Sequence, residues 1–449
     1  MNLKNFNQAQ EFLYSYIPKT VSYTYSADWG LSRTKYLLEL VGNPQNKVRV
    51  IHIAGTSGKG STAYLTSLLL KSLGQKTGLA LSPHLIDIRE RFQINSQLIS
   101  RQKFVSYLSQ IISAIKRCEE SQFGKPTYFE LVTILAFYIF YQEKVDFAVI
   151  ETGLGGLYDA TNSIDNPEKT AVITKIGLDH TSILGKTITE IAFQKAGIIH
   201  KKNRVFSIEQ ERDAKKIIEK VCEQKNSTLS WIEKDTNFSN IKVSSQKTTF
   251  SLAFNLEGCI VNLENLELGM LGEYQAQNAS LSLVVIYYLS QKYNFEFNEQ
   301  KVRNALRKAK FLGRFEVIHK SGKLIIVDGA HNPQKMASFL DSVAKIFPGR
   351  KFNFLVAFKN DKDYTKILEL IKPFARKIFI TTFFIDNMDL IRFSQDPQEL
   401  VKSLRKLGVR EFEVISNNQL ALEKSLREDN GLIVVGSLYL LADIYPSLW

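Results

Sequence analysis

Cysteine is scarce in this 449-residue chain: Cys118, Cys222 and Cys259 are scattered, odd in number and without CxxC spacing. That pattern excludes a disulfide frame and a cysteine-built zinc site, and it predicts a reducing, cytoplasmic setting. Long apolar runs are also missing. The longest, around residues 131–141, falls far short of the ~20 residues that a membrane span requires, so no membrane partner is expected. The opening MNLKNFNQAQEFLYSY has no basic stretch followed by an apolar core, so no secretory leader is expected either. There is no internal repeat, no low-complexity tract, no basic tail and no Lys/Arg stripe interleaved with aromatics. The last absence matters because the net charge is +13, which on its own would suggest a nucleic-acid partner. An anionic small substrate or a lysine-rich background accounts equally well for a surplus that is spread out, and no nucleic acid is expected. With 44% hydrophobic and 23% charged residues, the composition is that of a globular protein too long for one core.

The stretch with the most chemical content is VRVIHIAGTSGKGST at residues 48–62. Val48, Val50, Ile51 and Ile53 suit a buried central strand. Gly55, Gly58 and Gly60 allow a tight turn, Lys59 adds a mobile positive charge, and Ser61 and Thr62 open a helix. A helix N-terminus with free N–H groups favours phosphate. The match to the common phosphate loop, G-x-x-x-x-G-K-[ST], is imperfect. Ile53 stands where its first glycine would be, and Gly60 where its hydroxyl residue follows the lysine. An ordinary glycine-rich strand-to-helix turn is the bland alternative, but the lysine and two hydroxyls in register favour a compact nucleotide-phosphate cradle.

The rest of the chain continues a βα rhythm. Residues 1–47 read as a helical arm in which Trp29 has a packing role. Helices are predicted at 63–73, 101–118, 130–141, 188–196, 273–289 and 299–308, and strands at 76–81, 145–150 and 170–174. Residues 225–268 change character, and their short alternating segments predict antiparallel strands added to the first domain. Beyond a junction at Phe311–Arg314, strands at 324–327, 353–357, 377–381, 411–414 and 432–435 alternate with helices at 335–347, 365–374 and 397–407. The expected fold class is therefore α/β: a phosphate-loop parallel-sheet domain with an antiparallel β addition, then a smaller C-terminal α/β domain. The expected boundaries are 1–310, including the helical arm, and 311–449.

Polar residues recur just past the carboxyl ends of these strands, the edge where open α/β sheets bind ligands. They are the loop at 55–61, Ser82 and His84, Glu151, Asp179 and His180, and Asp328. Glu151, directly after Ala148-Val149-Ile150, suits a nucleotide-bound Mg²⁺, which takes few hard oxygen ligands. A strand-capping carboxylate is the plainer reading. His52, His200 and His319 read as structural; His180 and His331 follow strand ends beside acidic residues and read as functional; His84 stays open between the two. Lys195 would pass for a solvated helix lysine, except that Phe193, Ala196, Ile198 and Ile199 make its surroundings apolar and favour a neutral amine.

Six motifs then occur in one order: GTSGKGST at 55–62, SPHL with RERF at 82–92, ETGLGG and DATN at 151–162, GLDH with LGKTITEIA and KAGII at 177–199, LGRFE at 312–316, and DGAHNP at 328–333. Together they resemble the folate branch of the Mur ligase family, the folylpolyglutamate and dihydrofolate synthases, from about residue 30 onward. The resemblance implies an ATP-dependent ligase that phosphorylates a pteroate or folyl carboxylate and passes the acyl group to L-glutamate. It implies that Gly58, Lys59, Gly60 and Ser61 cradle the ATP phosphates, with Asn278, Arg314 and Asp328 as further ATP contacts. Ser82, Glu151 and His180 would hold Mg²⁺; Lys195 would be carbamylated by CO₂ and serve catalysis with His331 and Asp328. His84 and Asp159 would contact the folate or dihydropteroate substrate. K⁺ is an additional expected cation, and a monomer the expected state. Three positions depart from the pattern: Ser57 replaces Asn, Leu157 replaces Arg, and Gln194 replaces Glu before the lysine. A cell-wall relative would read G-K-[ST]-[ST] without Gly60 and would lack SPHL and RERF. A nucleic-acid-binding NTPase is the third alternative, prompted by charge alone.

Overall fold

The computed structural model describes residues 3–18, 28–320, 322–386 and 392–448. Its largest sheet has eight strands in the order Gln97–Leu98, Gln93–Ile94, Thr77–Ala80, Phe147–Glu151, Arg49–Ala54, Thr170–Ile173, Arg204–Ile208 and Thr228–Ile232. The last six run parallel; the first two form an antiparallel hairpin at the edge. The phosphate-loop strand Arg49–Ala54 lies centrally, with Ile51 and Ile53 almost fully buried, as its β-branched composition predicts.

One face of this sheet is covered by the phosphate-loop helix Lys59–Ser72, the long helix Glu273–Tyr293 and a three-stranded antiparallel sheet, Phe238–Val243, Thr248–Leu256 and Cys259–Leu268. The other face packs on the N-terminal helices and on Tyr128–Gln142. That helix is buried on nearly every side, as its unbroken apolar sequence requires. Trp29 does pack on Phe123, with ring centroids 5.5 Å apart, yet it stays half exposed.

From residue 316 onward a second α/β domain carries six strands in the order Glu316–Lys320, Lys323–Val327, Leu432–Val435, Phe352–Val356, Ala375–Ile380 and Phe412–Val414. The first is antiparallel to its neighbour and the others are parallel. Among the described residues no helix is long and apolar enough to cross a membrane.

Two corrections to the sequence reading follow. Thr228–Ile232 lies within the segment expected to be antiparallel, but it joins the main sheet in parallel beside Arg204–Ile208. The amphipathic crossover helix Arg212–Gln224 makes that pairing, and sequence reading passed over both it and Arg204–Ile208. The phosphate-loop helix also begins at Lys59, four residues earlier than its apolar pattern indicates, because its first turn faces the ligand cleft and carries no apolar stripe.

The strand Thr77–Ala80, which delivers Ser82 and His84, packs unusually closely on Tyr128–Gln142. A Cβ at Gly78 would lie 2.5 Å from Phe140 Cδ1 and 2.6 Å from its Cγ, inside contact distance. Gly78→Ala is expected to lower unfolding stability by about 1–3 kcal/mol through overpacking, and Phe140→Leu in the same chain to recover part of the loss. Urea titration of the three proteins checks this; a Gly78→Ala midpoint equal to that of the parent would refute it.

Candidate functional site

The turn after Arg49–Ala54 is pinned from below. The N–H groups of Thr56 and Ser57 both donate to the Lys175 carbonyl, at 2.9 and 3.0 Å. The Thr56 hydroxyl donates to the Gly177 carbonyl at 2.9 Å and accepts the Gly177 N–H at 3.1 Å. Gly58 caps the helix at φ +91°, a left-handed value that side chains rarely adopt, and a Cβ there would meet Asn278 Oδ1 at 2.3 Å. Asn278 is itself fixed by Gln275, whose Oε1 accepts its Nδ2 at 3.0 Å. The first-turn N–H groups of Lys59–Ser72 lack intrahelical acceptors, the arrangement that favours an anion at a helix N-terminus.

Glu151 ends the neighbouring strand beside this loop. Its Oε2 accepts the Ser82 N–H at 3.0 Å, and a Cβ on Gly60 would lie 3.4 Å from the same oxygen. Gly60 thus leaves the space beside the carboxylate open. Burial pushes the Glu151 pKa up, and Lys59 draws it back down. His84, on the Ser82 loop, is buried; its Nδ1 accepts the Arg91 Nε–H at 2.9 Å, and burial keeps its imidazole neutral. Asp159 is buried and occupied by its own loop: Oδ2 accepts the Leu154 N–H at 2.7 Å and Oδ1 the Thr161 N–H at 3.0 Å. It shapes the 153–163 loop. The departures Leu157 and Gln194 are neighbours there, the Leu157 N–H donating to the Gln194 carbonyl at 2.7 Å.

Lys195 lies almost fully buried near the end of the helix Ile188–Ala196. Its Nζ donates to the Gly55 carbonyl at 2.9 Å, and among the described residues no carboxylate lies within ion-pair distance of it. Burial, reinforced by the charge of Lys59, holds its amine well below the usual lysine range.

The two domains meet on Asp179. Its Oδ1 takes the Lys362 ammonium at 2.5 Å and its Oδ2 the Asn332 amide at 2.9 Å. Despite burial, the surrounding cations, Lys335 and Lys362 foremost, keep this carboxyl far below its ordinary range. His180 Nε2 is 3.9 Å from Asp179 Oδ1 and faces the Lys359–Lys362 segment, with burial lowering its pKa to about 3. The departure Ser57 also bridges the domains, its hydroxyl donating to Gln334 Oε1 at 3.0 Å. His331 donates from Nδ1 to the Gly329 carbonyl at 2.7 Å, and its Nε2 accepts the Lys335 ammonium at 3.1 Å.

Asp328 is a backbone organiser. Its oxygens accept the N–H groups of Phe315 and Ala330, each at 2.7 Å, and Tyr274 of the first domain lies at 3.4 Å. Burial raises its pKa, with Arg314 opposing. Arg314 rests over the Phe311 ring at 5.5 Å, and Phe311 stacks on Tyr64 at 4.8 Å.

The predicted phosphate loop, Glu151, Ser82 and Asn278 therefore come together, and Arg314, Asp328 and His331 line the opposite side of one interdomain cleft. His180 contacts Asp179 and the second domain. Among the described residues no three His, Cys, Asp or Glu side chains form a metal cage. Sequence reading missed Arg91, Gln334, Lys335 and Lys362 and gave Asp179 no role. Asp179 was noted at a strand end without a role, Arg91 sits inside the RERF motif, and Lys362 follows the strand Phe352–Val356, where the strand-edge rule could have found it.

Residues 53–286 match the Mur ligase middle domain and residues 313–438 the Mur ligase glutamate ligase domain. The chain is 29% identical over 433 residues to the dihydrofolate synthase/folylpolyglutamate synthase of Bacillus subtilis, covering 93% of this chain and 95% of the relative. It is 31% identical over 431 residues to the dihydrofolate synthetase of Saccharomyces cerevisiae, covering 92% and 96%. The solved structure of Mycobacterium tuberculosis folylpolyglutamate synthase complexed with ADP superposes with a TM-score of 0.87 at 25% identity, covering 99% of this chain and 98% of that one.

Gly58→Ala is expected to weaken ADP binding at least about tenfold, a loss of ~1.4 kcal/mol, since both the backbone and the Asn278 amide must move. Isothermal titration with ADP and Mg²⁺ measures it. An unchanged Kd in a folded variant would remove the cradle assignment.

Proposed function

Since the chain belongs to the Mur ligase family, in its folylpolyglutamate and dihydrofolate synthase branch, we propose that it joins L-glutamate to folate and to dihydropteroate at the expense of ATP. The observation that carries this reading is the cleft itself. A phosphate loop on one domain faces the DGAHNP segment of a glutamate ligase domain, held together through Asp179–Lys362, Asp179–Asn332 and Ser57–Gln334.

The acceptor carboxylate attacks the terminal phosphorus of ATP, the bond to the bridging oxygen breaks, and ADP leaves. The glutamate amine then attacks the acyl phosphate, loses a proton and expels inorganic phosphate. Two anions must approach in the first step, so the chain's task is to supply positive charge and exclude water. Lys59 and the first-turn N–H groups hold the phosphates, while Tyr64, Phe311 and Arg314 wall the cleft beside them. His84, fixed by Arg91, and the loop shaped by Asp159 border the acceptor's side.

The residues fit Mg²⁺. Glu151 is a buried carboxylate with open space in front of Gly60, and Ser82 lies beside it. One carboxylate with a hydroxyl and phosphate oxygens suits this ion, and the neutral imidazole of His180 would complete the set. Bound Mg²⁺ would offset the charge of the phosphates. Lys195 suits carbamylation, because only a neutral amine takes up CO₂, and its environment keeps it neutral. The carbamate would add a negative group at the Gly55 carbonyl's side of the cleft, available to a cation such as K⁺.

With Mg²⁺, K⁺, ATP and L-glutamate, the purified protein is expected to release phosphate only when tetrahydrofolate or dihydropteroate is present. Failure to release phosphate with either acceptor would end this reading. Lys195→Ala is expected to lose ligation by at least about 100-fold while keeping its thermal melting transition; full activity in that variant would refute the carbamate assignment.

A further inference from the structure

We propose that Lys335 is the cation that the second domain brings to the terminal phosphate of the bound nucleotide, making it a further catalytic residue for phosphoryl transfer. The inference rests on the ligase reading above and adds a residue to it. Lys335 is the third residue of the helix Pro333–Ile346, whose N-cap Asn332 accepts the Lys335 N–H at 2.9 Å. An ammonium at the positive end of a helix is electrostatically disfavoured. Its side chain nevertheless turns into the cleft, where its hydrogen-bond partner is the imidazole of His331 at 3.1 Å.

Its electrostatic attraction to Asp179 is not a direct ion pair. Among the described residues no carboxylate lies within 4 Å of its Nζ, since Asp179 is engaged by Lys362 at 2.5 Å and by Asn332 at 2.9 Å. Burial is the main cause that brings its pKa down to about 7; Asp179 opposes the shift from beyond ion-pair distance, while Lys59, Lys362 and Arg314 all act repulsively. The field of Lys335 also reaches Glu151 and Lys195 across the domain boundary. A half-buried cation facing other cations at a helix N-terminus is stable there if an anion occupies the space between them.

Geometry selects which anion. The first-turn N–H groups of Lys59–Ser72 enclose the inner phosphates, and a phosphate-loop lysine reaches the outer ones. Lys335 approaches from the opposite domain, so the terminal phosphate is the part of the nucleotide left facing it. His331, locked by its Nδ1–H bond to the Gly329 carbonyl at 2.7 Å, holds the ammonium in that direction.

The test uses the full chain with Mg²⁺ and titrates ADP and AMPPCP, a non-hydrolysable ATP analogue, by calorimetry. Lys335→Ala and Lys335→Met, which keeps the apolar stem, are expected to bind AMPPCP roughly tenfold more weakly, with ADP affinity unchanged. Their kcat for ligation is expected to fall about 100-fold with little change in KM for the acceptor, and Lys335→Arg to restore much of it. Equal weakening of ADP and AMPPCP, or no change in either, would overturn the proposal. If the parent protein released no phosphate with either acceptor, the ligase reading would fail, and the AMPPCP-against-ADP difference would still decide the role of Lys335.

Discussion

Asp179 takes a lysine and an asparagine from the second domain, Lys362 at 2.5 Å and Asn332 at 2.9 Å, and the alignment of the two halves of the site follows from that. Burying a carboxylate and an ammonium costs several kcal/mol per ion, and their attraction offsets this only when the geometry is good and the remaining lone pairs are filled. Here they are filled: one oxygen receives the ammonium, the other the amide. A pair of this kind contributes more to specifying one arrangement than to net stability. What it specifies is that the DGAHNP turn stands across from the phosphate loop.

The same carboxylate sets the charge pattern of the cleft. Lys335, Lys362, His180 and His331 all act on it, so one negative group is spread over several positive or ionisable ones. His180 and His331 are therefore kept neutral by burial and by the neighbouring ammoniums, and the His331 lone pair is taken by Lys335. Lys195 is the other side of this arrangement. It is buried on the first domain where the Gly55 carbonyl receives it, and Lys59 nearby disfavours its charge further. Each unusual protonation state in the cleft follows from burial plus an excess of cations.

Much of this was legible in the sequence, for a physical reason. Ligand chemistry in an open α/β sheet is confined to the carboxyl ends of strands, and strand ends are easy to find when the strands are apolar and β-branched. That rule picked out the phosphate loop, Ser82, Glu151, the Asp179-His180 pair and Asp328. It failed where function depends on a partner far along the chain. Lys335 and Gln334 look like solvated helix residues until the second domain turns their helix toward residues 57 and 179. Arg204–Ile208 was missed although it lies inside the sheet, because Arg204 and Ser207 interrupt its apolar run, and Thr228–Ile232 was misassigned because, as the edge strand, it is only partly buried. Asp159 shows a further side of such loops, since its carboxylate accepts the Leu154 and Thr161 N–H groups and the Thr161 hydroxyl and so fixes the loop that carries it.

The three departures from the family pattern are informative when placed on this frame. Ser57 does not leave a gap, because its hydroxyl reaches Gln334 across the domain interface at 3.0 Å. Leu157 and Gln194 meet through a backbone hydrogen bond at 2.7 Å, one residue from Lys195. Replacing an Arg and a Glu by neutral residues at adjoining positions removes one charge of each sign and leaves the local balance unchanged.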